Sequence, residues 1–314
     1  IGLDLGSKVI KSAELEFVND KTAVRNLGIE DISFPDNSAQ QEDYRKNLKR
    51  MIETCHGKAF PDMVLGISEI SVRIMRLTLP QMNRKELTKA VVWEVKKQVP
   101  FNIDESMVDY LRIPSAQADA AKKIEIMAAL APRAVVLNRF EIFKALHFSL
   151  TAVDIVPLAL YRLFKARTSE GNFAVVDIGA NYSTIVMAEK KIPFYSRTQS
   201  TGIGLLYKAI KERIGKRAVD EEITNILKNG TEDYEIQRLI DSFVETLWRD
   251  VLRTMTFFSD HFKGEKIQVV YVTGGGAQIK GIVEKGQQMV NITVNKGDPF
   301  AGMSVEMLEL SPEE

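Results

Sequence analysis

Apolar and polar positions alternate along this chain in two periods, and the change from one to the other marks its elements. Period-two and continuously apolar runs predict a hairpin over 1–17 that returns through 23–32, and strands over 63–67 and 72–79, the last stopped by Pro80. Between them Tyr44, Leu48, Met51, Ile52 and Cys55 fall three and four apart, which gives a helix over 41–55 one apolar face. Hairpin, helix and strands in that order predict an α/β layer.

Residues 80–149 follow a logic of their own. Asn83 is placed to cap a helix over 84–98, whose Leu87, Val91, Val95 and Val99 step by four along one face, and Pro100 ends it. Strand-like runs over 107–113 and 124–130 flank the linker SAQADAAKK, and Pro132 precedes a helix over 134–149 that includes His147. Helix, two strands and helix make an inserted α+β module, expected to fold on one side of the first domain. A strand over 151–156 and a helix opened by Pro157 then lead to a polar turn at 169–172, which is expected to join two domains.

In the second half a strand over 173–176 enters Asp177, turns at Gly179 and Asn181, and returns over 184–187, with a further strand over 191–198. Asn181 suits a left-handed turn, since Asn tolerates that conformation best after glycine. A helix over 205–213 starts just after Gly202 and Gly204, and a shorter one over 218–227 stops at Asn229-Gly230. Over 232–262, Ile236, Leu239, Ile240, Phe243, Leu247, Val251, Met255, Phe258 and Phe262 form one stripe, the mark of a core helix. A strand over 269–272 runs into Thr273-Gly274-Gly275-Gly276, and a helix is expected from Gln278. The opening residues, IGLDLGSKVIKSAEL, repeat the plan of FAVVDIGANYSTIVM: strand, Asp, Gly, turn, strand. Two matching hairpins point to an internal duplication, with a ligand between the halves.

Composition adds limits. A chain of 314 residues exceeds what one core usually supports, so two domains are the default. Lys plus Arg and Asp plus Glu both number 42, which leaves no net charge to draw nucleic acid or an anionic membrane. The single cysteine, Cys55, excludes an internal disulfide and fits a reducing compartment. No apolar run approaches the ~18–20 residues of a membrane span. Because the chain opens at Ile1, inside a strand and without methionine, an extension before it is expected.

Candidate chemistry concentrates in the glycine turns. Three glycines after a strand let main chain approach a ligand where any Cβ would collide, and a helix that follows aims N–H groups at it. Gly202 and Gly204 offer the same prospect of amides facing an anion. A phosphate-binding hairpin needs a small residue so that amides can wrap the oxygens, and an acid that holds Mg2+ through water. Asp4 and Asp177 are those acids, Gly6 and Gly179 the small residues, and Ser7 and Lys11 supply a hydroxyl and a positive charge. Cys55-His56, with no second cysteine and no spaced histidine, makes neither a thiolate pair nor a metal site. Glu94, Lys96 and Lys97 read as a solvated helix face.

These motifs resemble those of the actin-like ATPases, which include sugar kinases, DnaK-type chaperones, actin and the division protein FtsA. Asp4-Leu-Gly6-Ser7-Lys8-Val-Ile-Lys11 looks like the first phosphate motif, Asp177-Ile-Gly179-Ala180-Asn181-Tyr182 like the second, and Thr273-Gly274-Gly275-Gly276 like the adenosine motif. The likeness covers the whole chain and implies an α/β fold, the duplicated actin-like ATPase (ribonuclease H-like) fold, with an FtsA-type α+β insertion. It implies ATP and Mg2+ as cofactors, held by Asp4, Gly6, Ser7, Lys8, Lys11, Asp177, Gly179, Ala180, Asn181, Tyr182, Gly202, Gly204 and Gly274, Gly275 and Gly276. On that template the first domain is 1–79 with 150–169, the insertion 80–149, the second domain 170–215 with 265–314, and a small helical subdomain 216–264.

Within the insertion, Trp93-Glu94-Val-Lys-Lys-Gln-Val-Pro100-Phe101 and Asp109-Tyr110 are similar to the PilM family of type IV pilus assembly, as is Arg253-Thr-Met-Thr-Phe257-Phe258. That resemblance implies a cytoplasmic protein, peripheral to the inner membrane through its partners, which docks the short N-terminal tail of PilN in a groove between first domain and insertion. It thereby links the inner-membrane complex to the pilus motor. Leu87, Val91 and Val95 either line such a groove or pack on the insertion's own sheet. One departure bears on catalysis. Where the superfamily places a polar residue that positions the attacking water, this chain has Val156-Pro157, which argues for ATP binding and against hydrolysis. An ATP-binding scaffold is therefore the favoured function. A true ATPase or kinase would need Asp154 as a substitute base, and a filament former like FtsA, or the actin-like component of a type II secretion platform, are the other readings.

Overall fold

The computed structural model describes residues 1–18, 21–32, 38–57, 62–99, 101–114, 118, 121–168, 171–189, 192–215, 219–262 and 266–305. Pro100, most of the 115–123 linker, the start of the 169–172 turn and the acidic end at 309–314 lie outside them. The first half runs β1 (Gly2–Leu5), β2 (Ile10–Val18), β3 (Lys21–Glu30), α1 (Ser38–His56), β4 (Met63–Ile67), β5 (Arg73–Pro80), α2 (Arg84–Gln98), β6 (Ser106–Ile113), β7 (Lys123–Pro132), α3 (Arg133–Ala145), β8 (Leu150–Ile155) and α4 (Val156–Lys165). The second runs β9 (Asn172–Ile178), β10 (Ser183–Glu189), β11 (Ile192–Gln199), α5 (Ile203–Ile214), α6 (Asp220–Asn229), α7 (Tyr234–Phe262), β12 (Ile267–Thr273), α8 (Ile282–Val290), β13 (Thr293–Lys296) and β14 (Ser304–Val305).

Strand order makes the duplication explicit. The first sheet reads β14-β3-β2-β1-β4-β8, and the second contains β11-β10-β9-β12-β13, the same order of hairpin partners and parallel neighbours. β1 is antiparallel to β2 and parallel to β4; β9 is antiparallel to β10 and parallel to β12. Asp4 lies beside Lys11 and Gly66, and Asp177 holds the equivalent position beside Thr184 and Thr273.

Period-two burial explains how the second lobe is layered. Ala174, Val176 and Ile178 face a core made with Leu206, Ile210, Ile236, Ile240, Leu247, Trp248 and Val251 from α5 and α7. Phe173 and Val175 face the other way, onto Tyr161 and Phe164 of α4. A strand buried on both faces reads as a continuous apolar run, as this one does. Beside the predicted α7 stripe, and not counted in it, Trp248 is the largest fully buried side chain, and its indole Nε1 donates to Ile282 O at 2.9 Å. In the first lobe Tyr44, Leu48, Met51 and Ile52 of α1 pack with Leu3, Leu5, Ile10 and Leu65, joined by Ile142 and Phe143 of α3.

The inserted strands β6 and β7 join the second lobe through β5, a strand expected in the first domain's layer. β5, β7 and β6 continue that lobe's sheet at β11, with Tyr195 opposite Met75 and Ile74 N donating to Ser196 Oγ at 2.8 Å. Leu77, Leu79, Val91 and Val95 form the insertion's own core. Asn83 caps α2 as expected, its Oδ1 accepting from Glu86 N at 3.0 Å.

Two predicted helices differ. The one expected over 134–149 ends at Ala145, because His147 adopts a φ of +58° and the chain closes in a Schellman turn, Phe148 N donating to Phe143 O at 3.0 Å and His147 N to Lys144 O at 3.1 Å. The one expected from Gln278 starts at Ile282, since buried Ile279 is extended and Gly281 is left-handed. β13 and β14 went unforeseen.

His56, set aside in the sequence as chemistry, is structural. Its Nε2 lies 2.8 Å from Ser12 Oγ and its Nδ1 3.2 Å from Glu14 Oε2, pinning the end of α1 to β2. Burial lowers its pKa below the ordinary 6.5, against the opposing pull of Glu14.

Two outcomes follow. A Cβ on Gly286 would stand 2.1 Å from the Trp248 ring, so Gly286→Ala should destabilise the second lobe by about 1–3 kcal/mol in urea unfolding. For His56 the folded pKa lies below the unfolded one, so its contribution is full above pH ~6.5 and is lost as pH falls through the folded value. Unfolding midpoints at pH ~7.5 and ~5.5 should show this slope, and His56→Gln should reduce it.

Candidate functional site

The two hairpins bring their acids to one cleft. On the first, Asp4 pairs directly across the ladder with Lys11, whose Nζ lies 3.6 Å from Asp4 Oδ2. Gly6 makes the turn, where a Cβ would meet Val9 O at 2.5 Å. Ser7 follows it half-buried, and Lys8 reaches to the second lobe, 3.8 Å from Asp220 Oδ2.

Asp177 lies opposite. Burial raises its pKa to about 6; the positive charge of Lys11 pulls it down and the negative charge of Asp4 pushes it up. Both neighbours belong to the other lobe, so the duplicated acids and the lysine form one electrostatic cluster.

The second hairpin closes when Gly179 N donates to Tyr182 O at 2.9 Å, over Ala180 and the exposed Asn181. Contrary to expectation, Asn181 is not left-handed. The non-glycine residues with positive φ are Lys122, His147 and Asn291 among those described. Gly202 and Gly204 also serve differently than expected. Ile203 N and Gly204 N donate to Gly179 O and Ala180 O, at 2.9 and 2.8 Å, so these amides hold the hairpin rather than face an anion. A Cβ on Gly202 would lie 2.2 Å from Ala180 O, which is why small residues stand there.

The glycine run packs on the same hairpin. Gly274 has a φ of +84°, and a Cβ on it would lie 2.4 Å from Asp177 Oδ1; one on Gly276 would strike Ile178. Gly275 faces open space and lines a cavity of about 160 Å3 with Ile203, Tyr207, Thr224, Leu227, Gln278 and their neighbours. A cavity of about 150 Å3 accepts a single aromatic ring. One aromatic wall, aliphatic floors and a few polar groups suit a planar heterocycle.

Among the described residues no three His, Cys, Asp or Glu groups gather as a metal site. Asp4 and Asp177 fit a hard divalent ion that keeps most of its shell as water and ligand oxygens, the habit of Mg2+. The two positions weighed for a catalytic base, Val156 and Asp154, differ in kind. Val156 reaches the β4 side of the cleft, its Cγ2 3.3 Å from the position of a Cβ on Gly66, and it is apolar. Asp154, the substitute, is paired with Arg162 of α4 and accepts from Ile155 N at 2.9 Å.

Three cleft residues, Ser68, Glu69 and Arg139, carry no local pattern in the sequence. Ser68 Oγ lies 3.4 Å from Thr184 Oγ1 across the lobes, and Glu69 accepts from Tyr182, whose pKa burial and that carboxylate raise. Arg139 of α3, 9% exposed, has Tyr44, Glu69 and Asp4 as charged or polar neighbours, and burial raises the Tyr44 pKa to about 12. The duplication held a usable signal: counting from Asp4–Gly66 and Asp177–Thr273, Ser68 and Glu69 fall where the second lobe has Gly275 and Gly276.

Residues 2–310 match the family model described as type IV pilus assembly protein PilM. The chain belongs to the PilM family. The structure titled PilM-PilN type IV pilus biogenesis complex is similar, with a TM-score of 0.80 at 20% identity over 97% of this chain and 90% of that one. The ethanolamine utilization protein EutJ from Carboxydothermus hydrogenoformans is also similar, with a TM-score of 0.55 at 15% identity over 94% and 83%. The PilM-family chain has the duplicated actin-like fold. Among its described residues no helix is long and apolar enough to cross a membrane.

Removing the nearby cation tests the cluster. Lys11→Met should move the Asp177 pKa upward from about 6, since Lys11 opposes the shift and Asp4 adds to it. Carbon-detected NMR titration of the aspartate carboxyls would read the change.

Proposed function

We propose that this chain is an ATP-binding scaffold of the type IV pilus inner-membrane assembly complex. ATP with Mg2+ would occupy the cleft, and the N-terminal cytoplasmic tail of PilN would dock on the insertion side. The observation that carries the nucleotide reading is the cluster of Asp4, Asp177 and Lys11 beside a glycine run that abuts Asp177 and a ring-sized cavity. Asp4 and Asp177 would hold Mg2+ through water, Lys11 and the hairpin turns would face phosphate oxygens, and Gly275 with Tyr207 would take the base. Apolar Val156 and the engaged Asp154 favour holding ATP over hydrolysing it.

The partner reading rests on family membership, and on what the insertion leaves outside. Leu87, Val91 and Val95 are spent on the insertion's own core, whereas Trp93 is 61% exposed with Lys97 Nζ 3.2 Å from its ring centroid. An exposed indole beside a lysine suits a short peptide with apolar and acidic groups. Such a protein would sit in the cytoplasm, peripheral to the inner membrane through PilN, and relay its state to the motor. The domain division by residue number stands as part of this proposal.

Titration calorimetry with ATP and Mg2+, with and without a PilN tail peptide, tests both parts. Micromolar or tighter binding is expected, with phosphate release far below one per second; turnover on the order of one per second or faster overturns the scaffold reading. Asp177→Ala should abolish Mg2+-dependent binding, and binding that survives it would refute the assignment of the cleft.

A further inference from the structure

Lys8 stands at the tip of the first hairpin, between Gly6 and Val9, yet its side chain belongs to a cluster on the opposite lobe. Its Nζ is 3.8 Å from Asp220 Oδ2 and 5.4 Å from the centroid of the Tyr207 ring. Asp220 opens α6, and Glu221 and Glu222 share its first turn. Lys211 of α5 approaches its other oxygen, Oδ1, at 3.4 Å. Tyr207 and Thr224, joined through their hydroxyls at 2.7 Å, are both walls of the cavity beside Gly275. The hairpin of one lobe is thus fastened to the wall of the cavity in the other.

The fastening is weak by construction. The side chains of Lys8 and Asp220 are 47% and 60% exposed, a setting in which ion pairs contribute little and water competes. Lys8 also occupies the turn next to Asp4, where a phosphate chain entering the cleft would present its oxygens. A single ammonium cannot remain on Asp220 and also neutralise a phosphate there.

We propose that Lys8 and Asp220 form an autoinhibitory clasp that ties the two lobes together across the cleft and opens when a nucleoside polyphosphate draws Lys8 away. Asp220 is then a positioning residue, which competes with the ligand for one of its cations. This inference rests on the reading of the cleft as a nucleotide site.

The test combines two readouts on wild type, Asp220→Asn, Lys8→Met and the double variant. Without nucleotide, spin labels at Asp43→Cys and Gln288→Cys in a Cys55→Ser background report the distance between α1 and α8. Both single variants should broaden or lengthen it, and the double variant should add nothing. With ATP and Mg2+, calorimetry should show Asp220→Asn binding roughly two- to fivefold tighter, the range expected for an exposed pair. Lys8→Met should erase that gain. Unchanged distances, unchanged or weaker affinity in Asp220→Asn, or a gain that persists without Lys8 overturn the clasp alone. Absence of nucleotide binding in every form, whatever the distances, overturns both the clasp's release and the cleft assignment.

Discussion

Asp4 and Asp177 reach the cleft from opposite lobes, where both are partly buried and their like charges repel. Lys11, paired with Asp4 on its own hairpin, is the positive charge that offsets this, and Asp177 still holds its proton more tightly than an ordinary aspartate does. The arrangement favours a further positive charge between the acids, and it makes the separation of the lobes an electrostatic variable. The second lobe meets this demand rigidly: Gly202, Gly204, Gly274 and Gly276 all press against the hairpin that carries Asp177, and each leaves no room for a Cβ. The first lobe meets it with exposed lysines.

The duplicated halves have diverged at matched positions. Opposite its acid each hairpin carries a different partner, Lys11 in the first and Thr184 in the second. After its parallel neighbour each sheet turns differently, through Ser68 and Glu69 in one lobe and through three glycines in the other. One half has kept a charge and a carboxylate, the other close main-chain approach. A site between them therefore has one polar, adaptable wall and one tight wall, which is how two copies of one plan make an asymmetric cleft.

The hairpins, α1, α2 and α7 were legible in the sequence because their periodicity is local and the core they serve lies on one face. What escaped has no local signature. His147 ends α3 in a left-handed turn that the sequence marks with histidine instead of glycine, and Ile279 interrupts the expected helix because its side chain is needed in a core built from α6 and α7. The amides after Gly202 are taken by the carbonyls of Gly179 and Ala180, over twenty residues away in sequence. Ser196, whose hydroxyl accepts from Ile74 N, joins segments 122 positions apart. The acids, Lys11 and the glycine run were readable as types at spacings; Glu69 and Arg139 were not, because a lone charge in a strand turn or on a helix has no pattern until the fold gives it neighbours.

The Ile74–Ser196 joint has a mechanical meaning. Because β5, β7 and β6 extend the second lobe's sheet while α3 packs into the first lobe's core, the insertion is anchored in both lobes at once. A change of angle between the lobes would therefore be felt inside the insertion, whose sheet is joined to one lobe and whose α3 is packed in the other.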